Sequence, residues 1–104
     1  MDRASMLKEI LERNPNDAFA RYGLALEYAS TGQTGDALRE FEALLQAHPE
    51  YTAGYFMAAQ TLAHVDRIAE ARQMLLNGIA SAQRTGNHHA RDEMQAMLAE
   101  LEAA

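Results

Sequence analysis

The 104 residues contain no cysteine, which removes disulfides, thiol nucleophiles and thiolate metal sites together. Isoleucine and valine supply only Ile10, Ile68, Ile79 and Val65. A chain so poor in β-branched residues lacks the side chains that fill strands, and this argues against an all-β or parallel-sheet domain. The N-terminal segment as far as Ala25 holds Asp2, Lys8, Glu9, Glu12 and Asp17 and no long apolar run. Neither a signal peptide nor a membrane span is therefore expected, and the cytoplasm is the expected compartment. Positive charge is also short: nine basic residues face fifteen acidic ones, net charge -6. The arginines are scattered from Arg3 to Arg91, so no basic patch forms for nucleic acid or an anionic membrane. In abundance are alanine, at 21 positions, and leucine, at 12, both strong helix formers. The hydrophobic fraction of 48% with 23% charged residues is that of a folded domain with one modest core.

The chain carries an internal period, marked by Pro15 and Pro49. Each closes an apolar helical pattern, Leu7, Ile10 and Leu11 before the first and Phe41, Leu44 and Leu45 before the second. The same step of 34 carries Tyr22 to Phe56, Ala25 to Ala59, Tyr28 to Leu62, Ala37 to Ala71 and Phe41 to Leu75. Asp17, Thr34, Thr52, Asp66 and Asn87 each precede an apolar-periodic stretch, where a side-chain oxygen can cap exposed backbone N–H groups. Six helices are predicted, at Ala4–Asn14, Ala18–Thr31, Gly35–His48, Ala53–Val65, Arg67–Thr85 and His88–Glu102, with no strand.

Residues 18–51 carry Leu24 and Ala25, then Tyr28, Gly32, Ala37, Phe41 and Pro49; residues 52–85 carry Tyr55, Ala59, Leu62, Ala71, Leu75 and Gly78. This pattern resembles the tetratricopeptide repeat, in which small residues stand where the paired helices touch and large ones fill the gaps between contacts. The second unit departs at Asp66, where the family turns on glycine, and at Gln83, where proline closes the repeat, so its second helix is expected to run on to Gly86. The resemblance implies an all-α fold, a right-handed superhelical solenoid of antiparallel helix pairs. Residues 4–15 then form an N-terminal half-repeat, 18–51 and 52–85 two full repeats, and 87–104 a C-terminal capping helix of one domain.

The resemblance also implies a scaffold that binds a protein or peptide along the concave face of the first helix of each pair. Projected at this period, that surface is built from Phe19, Tyr22, Gly23, Leu26 and Ser30, then Ala53, Phe56, Met57, Gln60 and His64, then Asn87, Arg91 and Met94, with Phe19, Tyr22, Leu26, Phe56, Met57, Gln60, His64, Arg91 and Met94 as the groove contacts. Aromatic and methionine side chains there favour an apolar or helical ligand segment. Clamp-type members of the family grip a C-terminal carboxylate with lysine, asparagine and arginine. The matching positions here are Tyr22, Leu26, Met57, Asn87 and Arg91, and only Arg91 fits. The alternative is a homo-oligomerisation module whose groove is filled by a second copy, giving a homodimer.

Catalysis finds no constellation. Ser5, Ser30 and Ser81 lie in helical contexts with no nucleophile elbow, and Gly32 and Gly35 punctuate a helix turn rather than cradle a phosphate. His88 and His89 precede Asp92 and Glu93 by one turn, yet adjacent helical residues point about 100° apart and no third ligand follows at metal spacing. No metal, no cofactor and no enzymatic activity are expected. His48 is expected to meet the last carbonyls of its helix, and His64 to offer a polar contact in the groove.

Overall fold

The computed structural model describes residues 1–103. Among the described residues there are six helices and no strand: α1 (Arg3–Arg13), α2 (Ala18–Ser30), α3 (Thr34–Ala47), α4 (Thr52–His64), α5 (Ile68–Thr85) and α6 (His88–Ala103). The chain divides into two compact units, Met1–His48 and Pro49–Ala104. Every predicted helix is present, with boundaries displaced by one residue or less.

In the first unit α2 packs between α1 and α3. Asp2 caps α1 by accepting from the Ser5 N–H at 2.8 Å, and Asp17 caps α2 by accepting from Ala20 N–H at 2.9 Å. The Asp2 capping bond holds its carboxyl below the ordinary carboxylate range. Leu11, Ala20 and Leu24 form a core over which Ala4, Leu7 and Tyr28 close. Ala25, Ala37, Phe41 and Leu44 are buried to within 1% of fully. Between α2 and α3 the half-buried Arg21 guanidinium meets Glu40 at 2.7 Å and donates to the Pro15 carbonyl at 3.1 Å.

In the second unit α5 packs on both α4 and α6. The period shows in its burial. Ala59 and Ala71 are as fully buried as Ala25 and Ala37, and Leu75 takes the place of Phe41. Small residues at these sites let helix backbones approach, and the large ones interlock between them. Gly78 is such a site: a methyl group there would stand 2.5 Å from Met94 Sδ and 2.6 Å from Tyr55 Cβ. The unit's second anchor is polar, because the Pro49 carbonyl accepts from both the Tyr55 and the Ser81 hydroxyl at 2.8 Å. Ser81, fully buried, is thereby satisfied and has a structural role.

The helix starts differ from the sequence-based expectation at three of five places. Asn87 caps α6 by accepting from Ala90 N–H at 3.1 Å, and Asp17 caps α2, as expected. Thr34 and Thr52 are instead the first helical residues, and their cap positions, Gln33 and Tyr51, make no side-chain capping bond. Asp66 lies one residue outside the cap, at Arg67, and adopts φ +62°, the left-handed conformation that Gly32 takes at φ +78° one repeat earlier. The two turns close alike, Gln33 N–H donating to Tyr28 C=O and Arg67 N–H to Leu62 C=O, both at 2.9 Å. Turn geometry overrides capping chemistry at both sites, because the residue next to a left-handed position is already fixed by that bond.

His48 also makes a contact that the sequence-based expectation did not include. It ends α3, and its ring Nε2 lies 3.2 Å from the Asn16 carbonyl in the α1–α2 turn. That contact joins the end of α3 to the α1–α2 turn.

Candidate functional site

Each pair opens with a helix that keeps one face outside its unit's core. On α2 that stripe runs Phe19, Tyr22, Leu26 and Ser30, at spacings of three and four that place them on one side. Phe19 is 74% exposed, Tyr22 and Leu26 are half-buried, and burial pushes the Tyr22 hydroxyl above its ordinary pKa. The same positions on α4 are Ala53, Phe56, Gln60 and His64. Phe56 and its neighbour Met57 are half-buried, whereas Gln60 and His64 are exposed. The α2 stripe lies in the first unit and the α4 stripe in the second.

The third helix corrects the projection. Gln83 does not break α5, which runs 18 residues against 14 in α3 and stops at Gly86, whose φ of +70° only glycine adopts without strain. α4 opens one full period after α2, at Thr52 against Ala18, but α6 opens at His88, two residues later than the period requires. Two residues turn a helix by about 200°, so the projected groove positions fall on the wrong side. Met94 is the seventh residue of α6, as Leu24 and Ala58 are of α2 and α4, and like them it is core, 0% exposed. It is removed from the accessible surface. Arg91 is half-buried and paired with Asp92 at 3.0 Å, and Asn87 is spent on capping. Gly23, projected onto the concave surface, is buried facing Leu7 of α1.

The residues that take the outward positions of α6 are His89, Asp92, Ala96 and Glu100, all exposed, with Glu93 at the position of Met57. Sequence reasoning missed them, although Gln83 and Gly86 carried the signal. The outward stripe is thus apolar and aromatic on α2, mixed on α4 and acidic on α6. His89 lies 3.3 Å from Glu93 one turn on, both exposed. Among the described residues no three histidine, aspartate or glutamate side chains gather closely enough to hold a metal ion. No helix of the described residues is long and apolar enough to cross a membrane.

Antiparallel helix pairs repeated at a period of 34 residues, with small side chains at the crossings and a two-residue slip before α6, define an all-α helical-repeat protein. A family model described as tetratricopeptide repeat matches residues 28–101. The chain belongs to the tetratricopeptide repeat family. A TPR repeat-containing protein of Pseudomonas aeruginosa is 28% identical over 98 residues, covering 94% of this chain and 93% of that one. Among solved structures, a tetratricopeptide repeat domain protein of Salinibacter ruber is 29% identical with a TM-score of 0.81, over 86% of this chain and 91% of that one. Protein BPP2914 of Bordetella parapertussis is 27% identical with a TM-score of 0.84, over 99% and 90%. The TPR2B domain of yeast Sti1, solved as a complex with pHsp70, reaches a TM-score of 0.88 at 17% identity over 96% and 80%, a likeness of fold alone.

Proposed function

We propose that this chain is a non-catalytic protein-interaction module that holds a protein or peptide segment on an outward helix face, that of α2 in the first unit or that of α4 in the second. The observation that carries this reading is Phe19, a large aromatic 74% exposed at the start of α2 and in line with Tyr22 and Leu26. An aromatic held out by a rigid helix gives a ligand large contact area at small conformational cost. Family membership supports the same reading, as does the Sti1 domain, which was solved with a bound partner. A net charge of -6 sets it against polyanions.

The corrected register bears on the kind of ligand. At the positions where clamp-type repeats grip a carboxylate, this chain has Tyr22, Leu26, Met57, His89 and Glu93. Four of the five supply no fixed positive charge and the fifth is an acid, so a terminal carboxylate is repelled rather than held.

The test is selection of peptides from a displayed library on the whole chain, followed by calorimetric titration against wild type and Phe19→Asp. Phe19 is exposed, so its replacement changes stability by less than about 0.5 kcal/mol. Binding is expected to weaken at least tenfold while the thermal midpoint stays put. Equal affinities for both proteins would place the site elsewhere. A second copy is the competing occupant, and sedimentation equilibrium across a range of concentrations separates the two: the module reading requires a mass near 11.5 kDa throughout.

A further inference from the structure

The second unit sets an apolar helix face beside an acidic one. Within Thr52–His64, α4 has no aspartate, glutamate, lysine or arginine, and it presents Phe56 and Met57 half-exposed. Within α6 four carboxylates accompany one arginine, Arg91, which Asp92 already neutralises at 3.0 Å. Glu102 reaches Arg72 of α5 at 3.8 Å and so ties one edge of α6 to α5. At about 100° per residue, Glu93 lies roughly 180° and Glu100 roughly 200° round the helix from Glu102. Among the described residues α6 packs on α5 and, more lightly, on α4, and Glu93 and Glu100 share the edge of α6 turned away from Arg72. On that edge Glu93 lies 3.3 Å from His89, and Glu100 has no ion-pair partner among the described residues.

We propose that this surface takes an amphipathic protein segment in which apolar anchors alternate with lysine or arginine, the anchors seated on Phe56 and Met57 and the cations on Glu93 and Glu100. The inference rests on the protein-interaction reading above and specifies its ligand. Carboxylates rimming an apolar stripe give charge-assisted bonds at the edge of a desolvated contact, which set partner choice and speed of capture. The spacing is specific as well. Glu93 and Glu100 stand two turns apart, about 10 Å along the axis, which matches cations seven apart on a helical ligand or three apart on an extended one.

Three fluorescein-labelled synthetic peptides test it by anisotropy on the whole chain. All share leucines at helical spacing; the other positions hold lysine, glutamine or glutamate. At about 50 mM salt the lysine peptide is expected to bind at least tenfold tighter than the glutamate peptide, and at about 500 mM the gap should shrink to within roughly threefold. Glu93→Gln/Glu100→Gln should close most of the gap, whereas Glu9→Gln/Glu12→Gln on α1, with the same change in net charge, should leave it. If the three peptides bind alike, or if both double variants act equally, the acidic rim has no role and the proposal falls, with the interaction module standing. If none binds, the α4 face is no docking surface and both readings fall there.

Discussion

The same substitution at two helical glycines is predicted to have opposite signs. Alanine gains about 1 kcal/mol over glycine in a helix interior, mainly by narrowing the unfolded ensemble. At Gly23 the new methyl would sit 3.5 Å from both Leu7 δ-carbons, an ordinary contact, and nothing opposes the gain. Gly23→Ala should therefore stabilise by about 1 kcal/mol and raise Tm by about 4–8 °C. At Gly78 the methyl would stand 2.5 Å from Met94 Sδ and 2.6 Å from Tyr55 Cβ, about 1 Å inside contact distance. Tyr55 Cβ is part of α4's frame and its hydroxyl is tethered to Pro49, and Met94 is fully buried. The helices must part, at an overpacking cost at or above the usual range of about 1–3 kcal/mol. Net of propensity, Gly78→Ala should lose about 1–2 kcal/mol, so the variants should differ by about 2–3 kcal/mol. Urea melts followed by circular dichroism at 222 nm read this directly. A Gly78→Ala protein as stable as wild type would refute the close packing of α4, α5 and α6 at that glycine.

Three further outcomes follow from the same geometry. Asp66 holds the left-handed turn that Gly32 holds one repeat earlier, so stability should rank Gly above Asp above Val at position 66 by about 1 kcal/mol per step; thermal melts giving Val the higher rank would contradict the equivalence of the two turns. Tyr55→Phe removes a hydrogen bond to the Pro49 carbonyl and should cost about 1 kcal/mol at neutral pH. Burial raises the pKa of Tyr55, and likewise of Tyr22; the unfolded chain then releases its phenolic protons first, so stability is full below about pH 10 and declines as pH rises through the folded-state values. Melts from about pH 9 to 12 should show a shallower decline in Tyr55→Phe, with Tyr22 supplying the remainder, and an unchanged slope would rule out Tyr55 as a source. Ser81→Ala should cost about 1 kcal/mol in the same melts, and a neutral result would show that its bond to Pro49 makes no net contribution.

Helix content and pairing were legible because several signals coincided: alanine and leucine abundance, two prolines one period apart, and matched small and aromatic positions. The outward stripes of α2 and α4 were legible for the same reason, since both helices keep the period. The third stripe was lost to a two-residue slip. A repeat projected at constant period transmits every insertion downstream, and Gln83 in place of proline let α5 carry its extra turn to Gly86. That slip exchanged Met94, a core residue, for the carboxylates Asp92, Glu93 and Glu100. Capping oxygens at Thr34, Thr52 and Asp66 were misjudged because local chemistry names the residue but not the position; before α3 and α5 a left-handed residue, Gly32 and Asp66, sets where the helix opens. His48 reaching back to Asn16 in the α1–α2 turn leaves no local trace at all.

The most direct test of the interaction reading is backbone amide chemical-shift mapping of the 15N-labelled chain titrated with a selected peptide. The account predicts that the perturbed amides cluster at Phe19, Tyr22 and Leu26 on α2, at Phe56, Met57 and Gln60 on α4, or at each of these stripes, with α3 and the outer side of α5 unmoved. Perturbations concentrated on α3 and α5, with the α2 and α4 stripes silent, would contradict it.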